Sequence, residues 1–168
     1  MDEKVKTLVT GIKDSGVEVE FGKYIKCAHC PSKLFGFFEN STGLTICQNN
    51  SKSQYITEST LVHELVHAYD FSTATLNDNN LSQRACSEVR ASNLSGDCDF
   101  IREFLNFSDG FLKKFTGQKV NCVRRKASFS LSQCENLDKC ETDKIVDSVF
   151  NECIANIKPF TNEQFKKF

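Results

Sequence analysis

The chain has 168 residues, a formal charge of −1, and 39% hydrophobic against 26% charged residues. That is the balance of a globular protein long enough to bury roughly two thirds of its unfolded surface, which excludes a disordered chain. The near-neutral charge supplies no general field towards nucleic acid or an anionic membrane, and no apolar run nears the ~20 residues that span a bilayer.

A single domain over residues 1–168 is expected. Met1-Asp2-Glu3 is unlike the start of a signal peptide. Val5, Leu8, Val9 and Ile12 then recur at i, i+3, i+4 and i+7, which predicts an amphipathic helix stopped at Gly16. Short β-leaning runs follow. Residues 34–38, the turn Asn40-Ser41-Thr42-Gly43 and residues 44–47 together predict a β-hairpin. Residues 53–72 are helical in period, with Thr57 or Ser59 able to cap and Leu61, Leu65 and Ala68 available for the buried side.

A second helix is expected from Leu81 to about Leu94, ended by Ser95-Gly96-Asp97, and a third from Asp99 towards Phe115 with Ile101, Phe104, Leu105 and Leu112 as its apolar face. Residues 120–140 show no clear period and are assigned no element. Order returns with Ile145, Val149, Glu152, Cys153 and Asn156, flanked by Val146, Phe150 and Ile157, as a closing helix ended near Pro159.

Within the helix over residues 53–72 lies the sequence His63-Glu64-Leu65-Val66-His67. Imidazoles at i and i+4 leave one helical face close enough together to share a metal ion. A shuffled chain of this composition would contain the pattern roughly once in four hundred trials, so chance explains it poorly. Zinc, one per chain, is the expected ion: it accepts neutral imidazole nitrogen and tolerates an open fourth position for water. Glu64 is placed to act as general base, taking a proton from the attacking water and returning it to the leaving amine.

A catalytic zinc usually has three protein ligands, and the remaining histidine, His29, stands far upstream between Cys27 and Cys30. The third ligand is therefore expected to be a carboxylate. Glu88 is preferred, because Ala85, Ala91 and Ser92 around it would let its helix approach the zinc helix; the alternative is a solvated glutamate. Asp70 shares nearly the same face as His63 but lies another ~4.5 Å along the axis from His67, too far for a short side chain, so it is expected to orient a ligand instead. Tyr55, Tyr69, Arg90 and His29 are open candidates for an oxyanion donor, with none preferred. Nine cysteines spread along the chain favour disulfides over a metal cluster and imply an oxidising compartment.

Several segments carry a resemblance. They are Cys27-Ala28-His29-Cys30 with Gly36-Phe37-Phe38, Ile46-Cys47-Gln48-Asn49-Asn50, and His63-Glu64-Leu65-Val66-His67-Ala68-Tyr69-Asp70. Downstream come Ala85-Cys86-Ser87-Glu88-Val89-Arg90-Ala91-Ser92-Asn93-Leu94-Ser95-Gly96-Asp97-Cys98, Cys122-Val123-Arg124-Arg125-Lys126-Ala127, Cys153 and Pro159-Phe160. From about Val5 to Phe160 the chain resembles the mitochondrial inner-membrane metalloprotease family that processes a subunit of the ATP synthase membrane sector and assists its assembly.

The resemblance implies an α+β, zincin-like fold: an HExxH zinc helix, a small β-sheet with a facing edge strand, and supporting helices, stabilised by disulfides. It implies residence in the mitochondrial intermembrane space, peripheral to the inner membrane. The implied partners are the precursor of an ATP synthase membrane-sector subunit and other intermembrane-space proteins. Cys134 has no counterpart in the family, so the expected disulfide set is Cys27, Cys30, Cys47, Cys86, Cys98, Cys122, Cys140 and Cys153, with connectivity open. A structural zinc knuckle through His29 is the lesser reading of Cys27-x-x-Cys30.

Two functions compete. An endopeptidase would add an extended substrate segment to an edge strand, here expected at residues 44–47. An assembly chaperone would instead bind an apolar subunit through Phe35, Phe37 and Phe38, although core packing is the commoner use of such residues. Arg124-Arg125-Lys126 reads as a solvated turn, and no nucleic-acid partner is expected.

Overall fold

A computed structural model of the chain describes residues 2–31, 33–74, 76, 77, 79–99, 118–135 and 137–167. The helix expected from Asp99 towards Phe115 falls, beyond Asp99 itself, outside the described residues, as does the side chain of Cys134. Among the described residues the order is α1 (Glu3–Asp14), β1 (Ile25–Ala28), β2 (Gly36–Glu39), β3 (Gly43–Cys47), α2 (Gln54–Thr73), α3 (Leu81–Leu94), α4 (Gln118–Glu135), α5 (Lys139–Ala155) and α6 (Asn162–Lys167). These elements group into two compact units, residues 1–76 with 157–168, and residues 77–156.

In the first unit, α1 buries Val5, Leu8, Val9 and Ile12, the four positions its period marks out, and packs on α2. The Asp2 carboxylate caps it by accepting from the backbone N–H groups of Lys4 and Val5 at 2.8 and 3.3 Å. Gly16 follows the helix with φ 93°, the left-handed stop that glycine provides. The chain then enters a three-stranded sheet of order β1-β3-β2. β2 and β3 form the expected antiparallel hairpin, with Gly36 opposite Ile46 and Phe38 opposite Leu44. β1 runs parallel to β3, pairing Ile25 with Leu44 and Ala28 with Cys47.

β3 is therefore the central strand, and the expectation that residues 44–47 form a free edge is corrected. All five of its residues are buried. A strand flanked on both sides and covered on both faces needs an unbroken run, which Leu44-Thr45-Ile46-Cys47 supplies where an edge strand would alternate. Gly43 opens the strand at φ 81°, and a Cβ there would fall onto the backbone carbonyl of Tyr24, so the entry to β3 demands glycine.

The second unit is a helical core. Ala85 and Val89 of α3, Cys122, Val123, Ala127 and Leu131 of α4, and Val146, Phe150 and Cys153 of α5 pack together with Cys98. Residues 120–135, assigned no element from sequence, are thus helical. Their buried face, Cys122, Val123, Ala127, Ser128 and Leu131, has helical spacing but includes small and polar residues that carry little hydrophobic contrast. Arg124 and Lys126 do not lie on a turn: Arg124 pairs with Asp147 and lies 3.7 Å over the Phe150 ring, while Lys126 bonds Asp97 at 2.9 Å. α5 starts before its apolar pattern does, because Asp138 and Glu141 form a reciprocal capping box at Lys139. Hydrogen bonds from Lys139 and Ser128 hold the Asp143 carboxyl below the usual carboxylate range.

Among the described residues three disulfides form: Cys30–Cys47, Cys86–Cys153 and Cys98–Cys122. Cys27 and Cys140, expected among the paired set, are exposed free thiols. Cys30 takes Cys47 as its partner because the loop after β1 folds back over the end of β3. There the Asn49 side chain accepts from the Cys30 N–H at 2.9 Å and donates to its carbonyl at 3.0 Å. With Cys30 so bonded, the zinc knuckle through His29 is ruled out. Cys86–Cys153 staples α3 to α5 across 67 residues, and in the chain-entropy treatment such a loop is worth ~4 kcal/mol. The Cys86→Ser/Cys153→Ser double variant is expected to lose a stability of that order, read as a lowered midpoint in denaturant unfolding with reduced and oxidised native protein as references.

Candidate functional site

α2 carries the central residues. Its N-cap is Ser53, whose hydroxyl accepts from the Ile56 N–H at 3.2 Å. Thr57 and Ser59, the capping candidates, lie inside the helix and donate back to the carbonyls of Ser53 and Ile56. From Val62 onward the helix is covered around most of its circumference: Val62, Glu64, Leu65, Val66, Ala68 and Asp70 are all buried. His63 and His67 occupy the half-open remainder, their rings 4.9 Å apart and nearly perpendicular. Packing on several sides fixes the helix, and one helical turn then brings the two imidazoles together.

Glu64 is 7% exposed. Its side chain passes β2 at a point where the strand has no side chain of its own: a Cβ on Gly36 would lie 3.4 Å from Glu64 Cγ and 2.7 Å from Thr60 Cγ2. Two residues on, on the same face of β2, Phe38 packs against Phe71 of α2 with ring centroids 5.6 Å apart.

His63, His67 and Glu88 form a group that could hold a metal ion, each offering one ligand atom within 4.8 Å of the others. Two imidazole nitrogens and one carboxylate oxygen make the donor set of a catalytic zinc, and that spacing suits ligands converging on one ion at ~2.0–2.2 Å. Of the small residues around Glu88, Ala85 belongs to the core shared with α4 and α5, and Ala91 and Ser92 are buried.

The other candidates separate. Asp70 is buried near the end of α2, three residues beyond His67. The Tyr69 ring lies against α1, where a Cβ on Gly11 would meet it at 2.8 Å. Arg90 is buried and donates to the Asn156 carbonyl at 2.6 Å, which gives it a structural task. His29 is exposed beyond β1, and Tyr55 stands in the first turn of α2, ~12 Å along the axis from His63. Sequence reasoning missed Gly36 and Thr60. The available signal was an isolated glycine within a strand pattern, which marks close approach of a neighbouring element.

The peptidase M76 family model matches residues 1–161. The chain is 37% identical over 158 residues to the mitochondrial inner membrane protease ATP23 homolog of Homo sapiens, covering 93% of this chain and 63% of that protein. It is 36% identical over 157 residues to the protein of the same name from Danio rerio, covering 92% and 60%. It is 40% identical over 150 residues to the mitochondrial inner membrane protease ATP23 of Eremothecium gossypii, covering 88% and 59%. The chain spans about 60% of the length of these curated relatives. No solved structure matches it.

Proposed function

Because the chain belongs to the peptidase M76 family, we propose that it is a zinc-dependent endopeptidase of the mitochondrial intermembrane space, peripheral to the inner membrane. The observation that carries this reading is the His63–His67 pair on α2, 4.9 Å apart, with the buried carboxylate of Glu64 between them in sequence and Glu88 completing a three-ligand group. The relatives' printed names support a place at the mitochondrial inner membrane. Among the described residues no helix is long and apolar enough to cross a membrane.

His63, His67 and Glu88 would hold the ion. Zinc bound there would polarise a peptide carbonyl and favour deprotonation of water. Glu64, one position beyond His63, accepts the proton of the attacking water and delivers it to the leaving amine. Its burial keeps the carboxylate from exchanging partners with bulk solvent. Asp70 holds a ligand imidazole in orientation from the next turn of α2.

Substrate lies along β2. The Cys47 N–H donates to the Phe35 carbonyl at 2.8 Å, so Phe35 pairs inward with β3, and by the alternation of antiparallel ladders Phe37 and Glu39 do the same. The N–H and C=O groups of Gly36 and Phe38 then point to the outer edge, where an extended segment adds as a further strand beside Glu64. The substrate proposed is the precursor of an ATP synthase membrane-sector subunit. The chaperone reading keeps support from Leu34 and Phe35, which are 47% and 50% exposed at the head of β2 and offer an apolar segment a surface.

Metal content and hydrolysis of an extended peptide, measured together on oxidised protein, test the reading. One zinc per chain is expected, with cleavage abolished by a chelator and restored by zinc. Protein that takes up no divalent ion overturns it.

A further inference from the structure

We propose that Gly36 is a positioning residue for Glu64: its missing side chain lets α2 seat against the edge strand, and this sets where the proton-transferring carboxylate stands. The inference rests on the peptidase reading and deepens it at the same site. A Cβ at position 36 would lie 2.7 Å from Thr60 Cγ2, 3.0 Å from the Thr45 carbonyl oxygen and 3.4 Å from Glu64 Cγ. Its three nearest neighbours thus sit on α2 one turn before Glu64, on the central strand, and on Glu64 itself.

The closest contact is the one that decides the outcome. Real Cβ atoms do not approach a methyl group to 2.7 Å, so a side chain at 36 must push Thr60, and α2 with it, away from the strand. The Thr45 carbonyl is held in the ladder and cannot yield equally. Phe38 on Phe71 anchors the same two elements further along, so the displacement concentrates at the Gly36 end, where Glu64 lies. Gly36 is also where the outward backbone groups of β2 would meet an extended substrate. One glycine therefore sets the separation between the bound chain and the base. Misplacement by ~1 Å at such a point costs on the order of 100-fold in rate.

The test compares native protein, Gly36→Ala, Thr60→Ser and Gly36→Ala/Thr60→Ser, each oxidised and zinc-loaded. Zinc content, unfolding midpoint, kcat, KM and the pH–rate profile are read for all four. Gly36→Ala is expected to keep its zinc, lose kcat by about 10- to 100-fold with a smaller change in KM, and shift the acid limb of the pH–rate profile. Thr60→Ser alone changes kcat less than about 2-fold. In the double variant, where the Cγ2 methyl is gone, kcat recovers at least about 5-fold over Gly36→Ala and the acid limb returns towards native. A Gly36→Ala protein with native kcat overturns the proposal, as does a folded double variant no faster than the single one. If Gly36→Ala fails to fold, the double variant decides alone: kcat near native supports the proposal, and a loss as large as 100-fold in folded protein overturns it. Native protein that binds zinc but cleaves no peptide overturns the peptidase reading and this inference together. Failure of the variants in an active enzyme overturns this inference only.

Discussion

Glu64→Gln is expected to lower kcat for peptide hydrolysis by about 10²–10⁴-fold while zinc content and the unfolding midpoint stay close to native. The substitution keeps the length and shape of the side chain and replaces an oxygen that takes a proton by an amide that does not. The fold has little reason to respond. Glu64 sits in a helix fixed by Val62, Leu65, Val66 and Ala68, all 2% exposed or less, and its neighbours His63 and His67 keep their rotamers. Metal analysis, circular dichroism and steady-state kinetics on the same preparation check it. Activity retained to within a few fold would remove Glu64 from proton transfer. The variant also separates the two functional readings, because a chaperone of membrane-subunit assembly would work undiminished with Gln at 64.

Glu88→Ala acts on the metal instead. Two imidazoles from one helical turn leave half the coordination shell to other donors, and Glu88 is the carboxylate grouped with them. Its removal is expected to weaken zinc binding by more than about 100-fold, the upper end of what losing a merely supporting group costs. Titration against a competing chelator measures this directly. Unfolding gives a second readout: zinc at 100 times its Kd stabilises native protein by about 2.7 kcal/mol, and in Glu88→Ala that increment should vanish at the same concentration. A variant that binds zinc as tightly as native would return Glu88 to the role of an ordinary helix residue.

What could be read from sequence follows the range of the interactions involved. The α1 face and the His63–Glu64–His67 constellation depend on spacings of three and four residues within one helix, and those spacings are visible in the chain. The β2–β3 hairpin is similarly local, closed by the three residues 40–42 between Glu39 and Gly43. The parallel pairing of β1 with β3 was not visible, because nothing near residues 25–28 specifies a partner beyond an intervening strand, and with it went the identity of the edge. α4 escaped because Ala127 and Ser128 are buried for lack of bulk, a signal that belongs to the neighbours they pack against. Disulfide pairing has no local signature at all: Cys86 and Cys153 meet only once α3 and α5 have folded together. Cys27 and Cys140 are the same residue type in equally unremarkable settings, and exposure alone sets them apart.

The Cys98–Cys122 bridge has a consequence for how the polypeptide survives damage. It ties the residue just after α3 to the first turns of α4, so every peptide bond between positions 98 and 122 lies inside a covalent ring. A protease cutting there converts a ring into a linear crosslink without parting the two fragments. Cys86–Cys153 then joins the α3 side of the cut to the far helix of the same unit. The chain can thus be nicked at that stretch and still travel as one molecule until a reductant opens both bridges, which makes an oxidising environment a condition of its physical integrity as well as of its stability.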